Sequence, residues 1–130
     1  MTAPVVTVEG KVTKLPLKNA DDGALAGRTD MLREQGMDLR GFHPDPIELD
    51  ITPRVFSLVK PLFESRGEPM LKFFPCRMLV EGVPLFGYVM VDAEGEANAP
   101  KLRIIGPELR TLEEGQTMTV EMDPARAKVG

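Results

Sequence analysis

The 130 residues are the size of one ordinary domain, and at 42% hydrophobic and 28% charged the chain is too apolar to stay unfolded. Sixteen Lys and Arg stand against twenty Asp and Glu, a net charge of −4, so the long-range field repels phosphate backbones and a nucleic-acid surface needs a local patch of cations. The single cysteine, Cys76, excludes an internal disulfide and a multi-cysteine metal site.

The N-terminus lacks the basic-then-apolar plan of a signal peptide, and no stretch approaches the roughly 18 apolar residues of a membrane span. These features read as a cytoplasmic protein with no membrane contact.

In chain order, Val5–Val8 and Val12–Leu15 flank Glu9-Gly10-Lys11, which predicts a β-hairpin with glycine in the turn. The apolar positions change phase after Val12, the mark of a bulge near Thr13-Lys14. Residues 18–41 read as a loop-rich insertion carrying one short surface helix, about 28–35, with Asp22 or Thr29 as its cap and Gly36 closing it. Ile47-Glu-Leu-Asp-Ile51 alternates strictly and predicts a strand buried on one face.

Thr52-Pro53 has the form of a helix start, and Val55, Phe56, Leu58, Val59, Leu62 and Phe63 fall on one helical face. The one main helix is therefore expected at about 53–66, kinked at Pro61 and packed on the sheet. Beyond it the text is almost all β. Met70–Phe74 is stopped by Pro75, and Cys76–Val80 turns at Glu81-Gly82 into Val83–Val91. Lys101–Ile105 follows, then a capped turn at Thr111–Glu114. Gln116–Met122 has Met118, Val120 and Met122 inward, and 125–130 read as a frayed tail.

The expected architecture is α+β in a single domain, 1–130. It is mainly antiparallel β, a small barrel or strongly curved sheet of about six to eight short strands with the helix against it.

Few residues offer chemistry. His43 is the only histidine, and Asp45, Glu48 and Asp50 follow it closely, the oxygens and nitrogen a metal or an oriented general base would use. The plainer account is a stiff Pro44/Pro46 loop running into a strand whose acids face solvent. Cys76 with His43 could form a nucleophile and base, but Cys76 is in phase with Met78 and Val80 on the buried face, where a thiol is inert. Asp92, Glu94, Glu96 and Asn98 alternate like a calcium loop, yet Gly95 is misplaced and Arg103 stands where the closing glutamate belongs. No metal or cofactor is expected.

Phe73, Phe74, Phe86, Tyr88, Lys101 and Arg103 bring rings and cations onto neighbouring strands, the raw material of a binding surface. The strand Val83–Val91 is apolar on both faces, so it is either central, covered by the helix, or exposed to a partner. The expected function is a non-enzymatic binding or assembly module that engages a protein partner or its own copies. One alternative is a β-barrel that binds single-stranded nucleic acid, and another is a small carboxylate-dependent enzyme.

Overall fold

A computed structural model describes residues 5–18, 23, 25–66, 70–92, 98–99, 101–107, 109 and 112–129. In chain order the elements are β1 (Val6–Lys14), α1 (Thr29–Glu34), β2 (Ile47–Asp50), β3 (Phe56–Leu58), β4 (Phe63–Glu64) and β5 (Leu71–Val80). They continue as β6 (Val83–Asp92), β7 (Asn98–Ala99), β8 (Lys101–Ile105), β9 (Thr117–Met122) and β10 (Ala127–Val129). The strands β5-β6-β8-β2-β1-β9 are hydrogen-bonded in that order, and β9 pairs back onto β5, closing a six-stranded antiparallel barrel. β4 adds to the outside of β5, and β10-β3-β7 form a small second sheet.

Alternation along the strands fills the barrel. Val8 and Val12 of β1, Ile47 and Leu49 of β2, Phe74, Cys76 and Met78 of β5, Val89 of β6, Leu102 and Ile104 of β8 and Met118, Val120 and Met122 of β9 are all buried in one cluster. Phe56 and Leu58 of β3 and Ala127 of β10 join it, so the small sheet packs against the same core.

Several expectations are corrected here. The Glu9-Gly10-Lys11 hairpin does not form: β1 runs straight through, pairing with β9 up to Lys11↔Thr117 and with β2 from Lys11↔Asp50 onward. Gly10 leaves no room for a side chain beside β2. A Cβ there would lie 2.7 Å from the Asp50 carbonyl oxygen and 2.9 Å from Leu49 and Ile51 side chains. The bulge is present, with the β1–β2 register shifting between Val12 and Lys14.

The main helix over 53–66 is absent, and the segment holds β3 and β4 instead. Phe56 and Leu58 point inward at 0% and 8% exposure, whereas Val59 and Leu62, which the helix would bury with them, are 57% and 51% exposed. The backbone donors that a helix would use internally go elsewhere: Val59 N–H to the Arg126 oxygen, Leu62 N–H to the Phe73 oxygen and Ser65 N–H to the Leu71 oxygen. With Pro61 already breaking the helical ladder, these distant strands supply better partners. One of them is β10, which lies in the stretch read as a frayed tail and pairs Ala127–Val129 with Leu58–Phe56.

Pro75 does not end a strand either. Leu71 and Phe73 direct their backbone groups towards the β4 segment, so by alternation Pro75 does as well. It falls between the last β4 pair, Phe63↔Phe73, and the first β9 pair, Cys76↔Met122, where no ladder partner calls for its missing N–H.

Among the described residues α1 is the only helix. It ends in a Schellman arrangement, with Met37 N–H bonding the Leu32 oxygen, Gly36 N–H bonding the Arg33 oxygen, and Gly36 at φ 108°. Leu25, Leu32, Met37 and Leu39 are buried against Leu71, Phe73, Met90 and Ile105, a second core on the outer face of β5, β6 and β8. The cover expected from residues 53–66 thus comes from 25–42. The cap position of α1 is Arg28 rather than Thr29. Asp22, Thr111 and the loop containing Glu94 and Glu96 lie outside the described residues.

Candidate binding surface

The four residues read as possible acid–base or metal groups fall in two places. His43 and Asp45 belong to the loop that joins the outer cover to the barrel. His43 donates its backbone N–H to the Gly106 oxygen at 2.8 Å, and its Nδ1 accepts the backbone N–H of Asp45 at 3.0 Å. Asp45 is 5% exposed, and its Oδ2 accepts the Leu17 N–H at 2.8 Å. The imidazole is therefore held by a backbone amide, and the carboxylate ties the segment after β1 to the loop.

Glu48 and Asp50 are on the outer side of β2. Glu48 Oε1 accepts from the Thr13 hydroxyl at 3.1 Å and lies 3.5 Å from Lys101 Nζ, while Arg103 stands opposite it in the β2–β8 ladder. Asp50 Oδ1 accepts both the Thr52 N–H and its hydroxyl, and these bonds hold its pKa below the ordinary carboxylate value. Among the described residues no three His, Cys, Asp or Glu side chains gather as a cation site. Burial pushes the Cys76 thiol up to about 12.

The six residues read as a binding surface do not share one. Phe73 is 0% exposed in the outer core and Phe74 2% exposed in the barrel, on opposite faces of β5. Lys101 and Arg103 belong to the polar β2–β8 face. Phe86 and Tyr88 do stand together, with ring centroids 5.0 Å apart in edge-to-face geometry. Phe42 from the outer cover joins both, 6.4 Å from Phe86 and 5.7 Å from Tyr88, and Tyr88 continues the chain of contacts to Phe73 at 6.2 Å. Burial raises the Tyr88 pKa. Phe86, at 53% exposure, is the end of this aromatic run that reaches solvent.

On its other side Phe86 borders a groove of about 370 Å³ that crosses the outer face of β6, β5 and β9. Register explains the lining. Arg77 lies opposite both Phe86 and Glu121, so all three project outward in a row. Arg77 Nε meets Glu121 Oε1 at 2.8 Å and its Nη2 meets the same oxygen at 2.6 Å, a charge pair that neutralises the floor. Pro75, Val5 and Pro124 add apolar lining, and Arg126 lines the groove as well. Val5 and Phe86 are two of the large apolar side chains left exposed, at 47% and 53%.

The sequence reading reached Phe86 but not Arg77, Glu121 or Val5. Arg77 and Glu121 are charged residues at outward positions of their strands, but only the closing β5–β9 pairing puts them side by side. A second hollow, about 380 Å³, is lined by Glu9, Lys11, Thr13, Asp50, Thr52 and Thr117. Of its two carboxylates, Asp50 is already engaged by Thr52.

In sequence comparisons no family model matches the chain and no curated protein matches it. No helix among the described residues is long and apolar enough to cross a membrane.

Proposed function

We propose that this protein is a non-enzymatic binding module that engages another protein through the groove over β6, β5 and β9, with Phe86 as its central contact. The observation that carries the reading is Phe86 itself. A phenylalanine half-exposed between an aromatic run and an apolar groove, on a rigid barrel strand, is the kind of anchor that dominates recognition surfaces. The groove floor is neutralised by Arg77–Glu121, so an apolar group can enter without stranding an unpaired charge.

The side chains with chemical potential support the same reading. Asp45, Glu48 and Asp50 each accept a hydrogen bond within the fold. Cys76 is buried, with a thiol held far from ionisation at neutral pH.

The test is a selection from a random peptide display library on the wild-type protein, with each enriched peptide then measured against Phe86→Ser. Phe86 is at the surface, so the variant keeps its fold, checked by an unchanged melting temperature. Peptides that bind the wild type and lose at least about tenfold in affinity on Phe86→Ser are the expected result. Selection that yields only peptides indifferent to residue 86 overturns the proposal.

A further inference from the structure

Arg126, which lines the groove, is bonded to Lys60 and stands two residues before Lys128, so three cations lie close along this part of the fold. Arg126 donates from Nη1 to the Lys60 carbonyl oxygen at 3.2 Å, and Lys60 N–H bonds the Arg126 oxygen at 3.4 Å, so the two residues are held side by side. Lys128, two residues further along β10, faces Ser57 across the ladder, on the side away from the buried Ala127. Lys60 and Lys128 are exposed. None of the three has a carboxylate within ion-pair distance among the described residues.

This concentration stands out because the chain as a whole carries −4. The charges lining the groove balance, Arg77 and Arg126 against Glu121 and Asp123, whose Oδ1 caps the Ala125 N–H, so Lys60 and Lys128 beside it are in excess. The surface therefore combines an aromatic and proline-lined slot with a basic shoulder. Arg126 uses one of its five donors on Lys60, leaving the planar fork able to take a carboxylate bidentately.

Resting on the binding function proposed above, we infer that the occupant is an extended acidic segment of another protein. Its apolar side chain lies against Phe86 and Pro75, and the carboxylates that follow meet Arg126, Lys60 and Lys128. A nucleic acid fits this surface less well. It carries a charge at every nucleotide and would have to draw phosphates past Glu121 and Asp123, whereas a peptide can confine its charge to the shoulder.

The experiment uses the Phe86-dependent peptides from the display selection, resynthesised with a fluorescent label. Expected are sequences that pair an apolar or aromatic residue with a run of Asp or Glu, whose affinity falls with added salt. The double variant Lys60→Gln/Lys128→Gln, two surface changes that leave the fold intact, should weaken binding about threefold to tenfold, and Arg126→Gln should weaken it further.

Phe86-dependent peptides without acidic enrichment, or indifferent to the lysine pair, overturn this inference and leave the binding function standing. Absence of any Phe86-dependent peptide removes both. Oligo-dT that binds the wild type and displaces the peptides would assign the surface to nucleic acid. A dimer in light scattering that dissociates on Phe86→Ser would assign it to a second copy. Either result overturns the acidic-peptide assignment.

Discussion

Phe73 and Phe74 are consecutive residues of β5 that bury their rings in different cores. Phe73 packs with Leu32, Leu39 and Met90 beneath the 25–42 cover, and Phe74 packs with Met78, Val89 and Met122 inside the barrel. Replacing either by Ala should cost about 3–5 kcal/mol. The two losses should appear in different places. In native-state hydrogen exchange, Phe73→Ala should deprotect residues 25–42 first, and Phe74→Ala should deprotect β1 and β9. Identical exchange maps for the two variants would contradict the two-core description.

Gly10 sits against β2 with no space for a Cβ. With the Asp50 carbonyl oxygen 2.7 Å from where a Cβ would sit, and both flanking contacts at 2.9 Å, the strands must separate to admit even a methyl group. Gly10→Ala should destabilise by about 1–3 kcal/mol. It should lower the urea midpoint without changing the slope. A midpoint equal to the wild type would mean that the strands do not cross so tightly.

Cys76 is 4% exposed and its thiol is pushed up to about 12, so almost no thiolate is present at neutral or mildly alkaline pH. Labelling by a chromogenic disulfide at pH 8 should therefore proceed no faster than the barrel opens, and should become rapid in denaturant. Fast labelling under native conditions would place the thiol at the surface.

In the folded chain Asp50 accepts the N–H and hydroxyl of Thr52, and these bonds, aided by Lys101, lower its pKa from 3.8. Stability from this source is fully present above that value and is lost as pH falls through the lowered one. The difference in melting temperature between wild type and Asp50→Asn should therefore be visible at pH 7 and shrink steadily below about pH 4. A difference independent of pH would point to packing rather than charge.

Much of the barrel is legible in local patterns. Ile47–Asp50 and Thr117–Met122 alternate cleanly because each has one face in the core, and Gly36 announces the end of α1 because the Schellman turn needs a left-handed residue there. What local patterns miss is set by distant partners. Val55–Phe63 has a sound helical stripe, but its backbone bonds go to Arg126 and Phe73, far away in sequence. Gly10 looks like a turn because a glycine demanded by crossing strands is indistinguishable from one demanded by a reversal. At the candidate surface, Phe86 betrays itself as an apolar residue on the wrong face of its strand. The Arg77–Glu121 pair beside it is invisible until β9 is known to close on β5. Phe73 and Tyr88 show the same limit from the other side, since exposure and a second core produce identical sequence.

The pairing of β9 with both β1 and β5 also dictates how the chain must assemble. Val6 meets Met122 and Cys76 meets Met122 through the same short strand, so the barrel cannot close until contacts spanning nearly the whole described chain have formed. Folding that waits on such long-range closure is slow, on the order of milliseconds to seconds. Until β9 docks, β1 and β5 each present an unpaired edge that a neighbouring chain can occupy. The strand that completes the groove is thus also the one whose late arrival leaves the folding chain most open to aggregation.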